Sequence, residues 1–239
     1  MKLPQDSVRK QLFEICQSPG VQYLLLNKNE TLLEVNAGYA DISGEILVGS
    51  ETTFHCFSST KTFTAIAILQ LMKQGKLSLE DCASDMLPEF RFSKPFTIRH
   101  LLCHQSGLGN PMPVRWIHLA SEDYSFDENK FLTEVIYKNA QLNFTPGKKF
   151  SYSNLGFLVL GKLIEKFSGM HYIEFIRKNI IEKVREADKV SFTFPDAALH
   201  ATGYHANSFF NRVLFSLLMD KNKFIYKVNR DWLAFRKFI

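Results

Sequence analysis

The alternation of apolar and polar positions divides the chain into a strand-rich beginning and a helical middle. Asp6 can cap a first helix whose apolar face is Val8, Leu12, Ile15 and Cys16, and Pro19-Gly20 ends it. Residues 21–26 and 31–40 read as two strands, joined by the polar turn Asn27-Lys28-Asn29-Glu30. A hairpin alone is marginal in water, so these strands require further strands or a covering helix. Residues 62–74 predict a buried helix, because Phe63, Ile66, Ala67, Leu69 and Leu71 leave it little polar surface; Gly75 stops it. Leu77-Ser78-Leu79-Glu80-Asp81 starts a short element that Pro88 ends. Thr97 is placed to cap a helix over 98–103, and Gly107 breaks the chain after it. Residues 109–130 are irregular and polar. Helices are predicted over 130–139, 155–167 and 172–184, the last two separated by Ser168-Gly169. Residues 191–194 and 201–204 read as short strand or loop pieces. No internal repeat and no low-complexity segment interrupts this order.

Composition narrows the class. A chain of 239 residues, 46% of them hydrophobic, suits one globular domain with a substantial core. No apolar stretch is long enough to span a bilayer. Met1-Lys2-Leu3-Pro4-Gln5-Asp6 runs into polar residues without an apolar h-region, so no secretory signal is expected. Cys16, Cys56, Cys82 and Cys103 form no CxxC pair and read as reduced thiols of a cytoplasmic protein. The net charge of +5 is local: residues 206–239 hold seven basic and two acidic residues, and the remainder has 22 of each sign. The body therefore carries no electrostatic signature of a nucleic-acid partner.

The candidate chemistry begins at Ser58 and Lys61. Three residues apart at the start of a buried helix, they fall on one helix face. A serine hydroxyl is a poor nucleophile until a neighbouring base takes its proton. Burial and the positive helix N-terminus both disfavour a charged ammonium, which suits Lys61 to that task, and the Ser58 backbone N–H can serve as one oxyanion donor. Alone, the pair is weak evidence; a helix cap followed by a solvated lysine is the bland alternative. The apolar helix after Lys61 argues against it. His100 and His104 share a helix face beside Cys103, but Leu101 stands where a zinc protease motif needs glutamate. No metal and no cofactor is implied. His55 lies close to Ser58 in sequence, but the preceding strand should aim it elsewhere. Cys56 reads as a small buried residue and Ser106 as a turn residue.

A second motif, Tyr152-Ser153-Asn154, lies downstream, preceded by Pro146-Gly147 and Phe150. Together with the run from Phe57 to Ala65 and the segment from Leu101 to Leu108, it makes the chain closely resemble the class C beta-lactamase-related serine hydrolases. That family also holds D-alanyl-D-alanine carboxypeptidases and esterases and is related to penicillin-binding proteins. Gly38-Tyr39-Ala40-Asp41, the stretch from Gly75 to Asp81 and Ala201-Thr202-Gly203-Tyr204 match in order, so the resemblance covers about residues 15–205. By position, Ser58 matches the acylated nucleophile, Lys61 its proton partner, Tyr152 the second acid/base residue and Asn154 the amide that orients the substrate. The resemblance implies an α/β (α+β) beta-lactamase/transpeptidase-like fold, with a helical subdomain and an antiparallel sheet. It also implies a small-molecule ester, amide or beta-lactam substrate.

The family's third motif, Lys-Thr-Gly or His-Thr-Gly, does not occur in this sequence; His200-Ala201-Thr202-Gly203 has one residue too many. The resemblance stops after His205. The expectation is therefore a hydrolase domain over 1–205 with an incomplete sheet, truncated relative to the family, and a divergent basic aromatic tail over 206–239. That tail is expected to be poorly ordered or loosely packed helix. Trp232, Phe235 and Phe238 recur in it at helical spacing, which suggests either a membrane-surface contact or, as the preferred alternative, cover for the exposed sheet.

Overall fold

A computed structural model describes residues 8, 10–12, 18–111, 116–184, 190–192 and 199–237. The elements used below are, in chain order, β1 (Gly20–Leu26), β2 (Thr31–Asp41), β3 (Ile46–Leu47), α1 (Thr60–Lys73), α2 (Ala83–Met86), α3 (Ile98–Leu102), α4 (Glu128–Lys138), α5 (Asn154–Ser168), α6 (Tyr172–Asn179), β4 (Tyr204–Ala206), α7 (Phe209–Leu218), α8 (Lys221–Phe224), β5 (Ile225–Lys227) and β6 (Trp232–Phe235). They fall into two units. One comprises Met1–His55, Ile117–Tyr124 and Phe194–Ile239; the other comprises Cys56–Trp116 and Ser125–Thr193.

The first unit holds the strands. β1 and β2 pair antiparallel, with Val21 opposite Ala37 and Leu25 opposite Leu33. Their polar turn forms because the Asn27 Oδ1 accepts the backbone N–H groups of Asn29 and Glu30 at 2.8 and 2.9 Å. Period-two alternation puts Leu33, Val35 and Ala37 on one buried face, where Val21, Leu25 and the helical residues Val8 and Leu12 pack on them. Ile15 and Cys16 lie outside the described residues. β3 pairs with the far side of β2, and among the described residues β1 has no strand on its outer edge.

The tail forms a second antiparallel sheet of its own, in the order β4-β6-β5. Ser208 and Asp220 cap α7 and α8. Phe215, Phe224, Ile225 and Leu233 are buried together, with Ile117, Leu119, Met219 and Phe235 packed against them. This corrects two expectations. Residues 206–237 are strands and capped helices with a core rather than loosely packed helix, and β4 runs across the boundary expected at residue 205. Trp232 and Phe235 lie on a strand rather than a helix, and Phe235 covers the tail's own core; Phe238 lies outside the described residues. The exposed apolar stripe is instead on α7, where Phe209, Phe210, Val213 and Leu217 face outward. At the start of β4 the chain is tied to the end of β2: Thr202, two residues before it, donates its N–H to the Ala40 carbonyl at 2.9 Å, and the hydroxyl of Tyr204, its first residue, accepts the N–H of Ile42, just past β2, at 2.8 Å.

The second unit is helical. Ile68, Leu71, Leu101, Ile136, Leu155, Leu160, Leu163 and Ile176 are fully buried in one core. Burying a Leu or Ile side chain stabilises by roughly 1.5–3 kcal/mol, so these residues hold α1, α3, α4, α5 and α6 together. α1 buries only one face: Thr64, Ala67, Ile68 and Leu71 are inside, whereas Ile66 and Leu69 are 43% and 44% exposed. Gly75 follows it at φ +71°, the left-handed conformation that ends many helices. Thr97 caps α3 as its position suggests, accepting the His100 N–H at 3.3 Å. α4 begins earlier than the apolar pattern indicates, because Asp127 caps it by accepting the Lys130 N–H at 2.9 Å. Among the described residues no helix is long and apolar enough to cross a membrane. Cys56, Cys82 and Cys103 are free thiols; Cys56 is exposed rather than buried.

His200 makes the strand unit acid-sensitive. Its Nδ1 shares a hydrogen bond with the Thr53 Oγ1 at 2.9 Å, and its ring meets the edge of His55 at 4.7 Å. Burial, then the neighbouring His55 and Lys237, lowers its pKa to about 4. The unfolded chain binds that proton near pH 6.5 and the folded chain does not. Stability therefore falls as pH drops from about 6.5 to about 4, and this contribution levels off below 4. Urea midpoints measured across that window should decline more steeply for the wild type than for His200→Asn.

Candidate active site

The site forms where the chain enters α1 and α5, both in the helical unit. Phe57 has φ +41°, a left-handed conformation that is strained for a bulky residue. It opens a 3-10 turn, Phe57–Ser59, that carries Ser58 and runs directly into α1. Lys61 lies in the first turn of α1. Tyr152 and Ser153 precede α5, and Asn154 is its first residue.

These side chains meet. The Ser58 Oγ is 2.7 Å from the Tyr152 hydroxyl. The Lys61 Nζ donates to the Ser58 Oγ at 3.3 Å and to the Asn154 Oδ1 at 2.6 Å. The same ammonium sits 5.0 Å from the centre of the Tyr152 ring and 5.6 Å from that of Phe157. All four residues singled out in the sequence are thus within one hydrogen-bonded chain, Tyr152–Ser58–Lys61–Asn154. Burial alone would push the Tyr152 phenol up, but hydrogen bonds from Lys61 and Ser58, with the charge of Lys61, outweigh it and hold the phenol below the usual tyrosine range.

A second layer holds the Tyr152-Ser153-Asn154 segment; the sequence marked the stretch from Leu101 to Leu108 by its family resemblance but gave it no task at the site. The segment from His104 to Asn110 runs alongside residues 142–154. Gly107 seats the two: its φ is +85°, and a Cβ there would lie 2.3 Å from the Phe144 carbonyl oxygen, so only glycine fits. His104 accepts the Ser151 N–H on its carbonyl at 2.8 Å and the Ser153 N–H on its Nδ1 at 3.1 Å. Its ring lies 4.5 Å from Tyr152 and 5.1 Å from Phe157. Burial, then the charge of Lys61, lowers the His104 pKa, in keeping with a neutral ring whose Nδ1 accepts. Ser153 caps α5 by accepting the Gly156 N–H at 3.0 Å and donates to the Gly109 carbonyl at 2.8 Å. The Asn110 Oδ1 accepts twice from Asn154, from its backbone N–H at 3.0 Å and from its Nδ2 at 3.1 Å. A serine before an apolar run is a readable cap signal; His104 stood out only through the family resemblance and a rejected metal reading, and Asn110 carried no signal, because their partners lie 44 to 49 residues away.

The remaining candidates have other tasks. His100 completes the capping box of α3, its Nδ1 accepting the Thr97 N–H at 3.2 Å. Ser106 is buried in a turn and accepts the Leu108 N–H at 3.3 Å. His55 packs on His200 in the strand unit. Among the described residues no group of three or more His, Cys, Asp or Glu is arranged to hold a metal ion.

The family profile for Beta-lactamase matches residues 6–218. The chain belongs to the beta-lactamase family. That profile extends past residue 205 to the end of α7, so the family likeness includes part of the tail. Protein flp of Staphylococcus aureus (strain NCTC 8325 / PS 47) is 29% identical over 165 residues, which is 66% of this chain and 32% of that protein. Penicillin-binding protein 4* of Bacillus subtilis (strain 168) is 33% identical over 144 residues, 60% of this chain and 31% of that protein. This beta-lactamase-family chain spans about a third of the length of the curated relatives it matches. Its fold matches the solved structure of EstCE1, described as a hydrolase with promiscuous acyltransferase activity, with a TM-score of 0.69 and 24% identity. That match covers 85% of this chain and 56% of EstCE1. The fold is therefore the beta-lactamase/transpeptidase-like α+β type, and the family's members are serine hydrolases that act on beta-lactams, amides or esters.

The Tyr152 phenol supplies a direct check on the electrostatics. Ultraviolet absorbance titration should show one phenol ionising below the others, absent in Tyr152→Phe. In Lys61→Met that phenol should titrate at higher pH, because burial then acts without the opposing cation.

Proposed function

We propose that this chain is a serine hydrolase that cleaves a small ester or amide, beta-lactams included, through an acyl intermediate on Ser58. The observation that supports this reading is the pair of contacts at the Ser58 Oγ, with Tyr152 at 2.7 Å and Lys61 at 3.3 Å. In acylation the Ser58 Oγ attacks the substrate carbonyl carbon, and its proton passes to the Tyr152–Lys61 pair. The shorter contact and the lowered phenol favour Tyr152 as the immediate acceptor, with Lys61 holding the phenolate. The tetrahedral intermediate collapses as the carbonyl-to-leaving-group bond breaks, and Tyr152 returns the proton to the departing oxygen or nitrogen. Water then attacks the acyl-serine, gives its proton to the same pair, and Ser58 recovers it. Asn154 presents its amide to the substrate's acyl portion, and the Ser58 backbone N–H is one oxyanion donor.

A second reading, a catalytically impaired or non-catalytic acyl-ligand-binding module, is favoured by one feature. The 239-residue sequence contains neither Lys-Thr-Gly nor His-Thr-Gly. If the second oxyanion donor is lost with that motif, the rate falls roughly 10²–10³-fold. The two readings meet in one expectation for this polypeptide: Ser58 is acylated, but turnover is slow.

Intact-mass spectrometry after a fluorophosphonate probe tests it. One adduct is expected on the wild type and none on Ser58→Ala, with labelling of Lys61→Ala and Tyr152→Phe slowed roughly 10²–10⁴-fold. Hydrolysis of p-nitrophenyl acetate and nitrocefin should be Ser58-dependent but weak. Absence of any Ser58 adduct would sink the hydrolase reading, and turnover at rates typical of competent enzymes would sink the impaired one.

A further inference from the structure

An asparagine side chain has two ends of nearly equal shape, one a donor and one an acceptor, so its orientation is set by its partners. At Asn154 the acceptor end receives the Lys61 ammonium at 2.6 Å. The donor end gives its hydrogen to the Asn110 Oδ1 at 3.1 Å, and that same oxygen takes the Asn154 backbone N–H at 3.0 Å. One atom of Asn110 therefore fixes both the backbone and the amide of Asn154. The backbone N–H is one of the four that helix α5 leaves without an internal partner, so Asn110 also satisfies a helix terminus. Asn110 is itself constrained. Pro111 disfavours helical backbone at the residue before it, and the neighbouring Gly109 carbonyl is bonded to the Ser153 hydroxyl at 2.8 Å.

We propose that Asn110 is a positioning residue: its Oδ1 sets the orientation of the Asn154 amide, and through it the place of the Lys61 ammonium beside Ser58. This rests on the hydrolase reading for its kinetic consequence, but not for its geometry. Asn110 touches none of the atoms that react. Without its oxygen the Asn154 amide loses the acceptor that holds its nitrogen away from Lys61 and is free to turn. If it turns, two donors face each other and Lys61 must move. Displacing a catalytic group by about 1 Å can slow a reaction roughly 10²-fold. Asp in place of Asn keeps the accepting oxygen and adds negative charge close to Lys61 and Tyr152.

The test uses Asn110→Leu, Asn110→Asp and Thr97→Ala. The last removes the cap of α3 in the same unit and reports the effect of destabilisation alone. In crystal structures, the Lys61–Asn154 contact should persist in Asn110→Asp and be broken in Asn110→Leu. Phosphonylation of Ser58 should be slowed about 10–100-fold in Asn110→Leu and by much less in Thr97→Ala. In Asn110→Asp it should retain most of its rate, with the acid limb of its pH profile moved up by about one unit, because the carboxylate favours the protonated state of its neighbours. A merely structural cap would leave the Lys61–Asn154 contact in place in Asn110→Leu and slow labelling no more than Thr97→Ala does. An intact Lys61–Asn154 contact in Asn110→Leu, or labelling of Asn110→Leu as fast as that of Thr97→Ala, overturns the proposal. If wild-type Ser58 takes no probe, the hydrolase reading fails, and the crystallographic contact alone decides the positioning role.

Discussion

The arrangement depends on how one ammonium is accommodated between two helix beginnings. Lys61 enters α1 in its first turn, and Asn154 is the first residue of α5. The positive ends of two helix dipoles thus converge where a cation stands, which costs free energy unless acceptors offset it. They do so at close range: the Asn154 Oδ1 at 2.6 Å, the Ser58 Oγ at 3.3 Å, and the aromatic rings of Tyr152 and Phe157. The neighbours of Lys61 are therefore explained as much by its charge as by chemistry on a substrate. The depressed Tyr152 phenol is the other side of this interaction, since the hydrogen bond and charge of Lys61, together with the Ser58 hydrogen bond, favour the phenolate there.

The two helices that converge there are held together by packing, and the polar contacts set the side chains at their ends. Ala67, Ile68 and Leu71 of α1 and Leu155, Val159, Leu160 and Leu163 of α5 are buried in the same core. Close-packed interiors transmit shifts, so substitutions in this core alter the Lys61–Asn154 spacing without touching either residue. Polar contacts of 2.6 to 3.3 Å tolerate only tenths of an ångström, and it is the apolar faces that keep the error that small.

The parts legible in the sequence were those set by short-range rules. The β1–β2 hairpin, its Asn27 turn, the Thr97 cap and the Ser58–Lys61 spacing each follow from residues within a few positions of one another. The conjunction of Tyr152 and Asn154 with Ser58 was legible only through the family resemblance, since no local rule links residues 94 positions apart. Asn110 fell outside both kinds of signal: it is a single polar residue in an irregular stretch. The tail was misread for a different reason. Over four residues an apolar spacing of three fits a helix, whereas the partner strands that make Trp232–Phe235 extended lie 28 and 7 residues upstream, at Tyr204 and Ile225. Its basic residues are also put to local use, Lys223 pairing with Glu122 at 2.7 Å and the Arg236 guanidinium lying over the Tyr226 ring at 5.5 Å.

Ser58, Lys61, Tyr152, Asn154, His104 and Asn110 all belong to one unit, whose core is separate from the cores of the strand unit. The groups that the proposed acylation would use are thus all drawn from the helices of this unit and the segments that join them. In the proposed reaction, acylation and deacylation both draw on the contacts among Ser58, Lys61 and Tyr152. Both also pass through a tetrahedral oxyanion, so the absence of a second oxyanion donor would slow both steps. A chain with the proposed proton relay but without that donor is expected to react with an intrinsically activated phosphonate or ester far more readily than it turns over an ordinary ester or amide, because an activated reagent leaves less of the barrier for the oxyanion donors to lower.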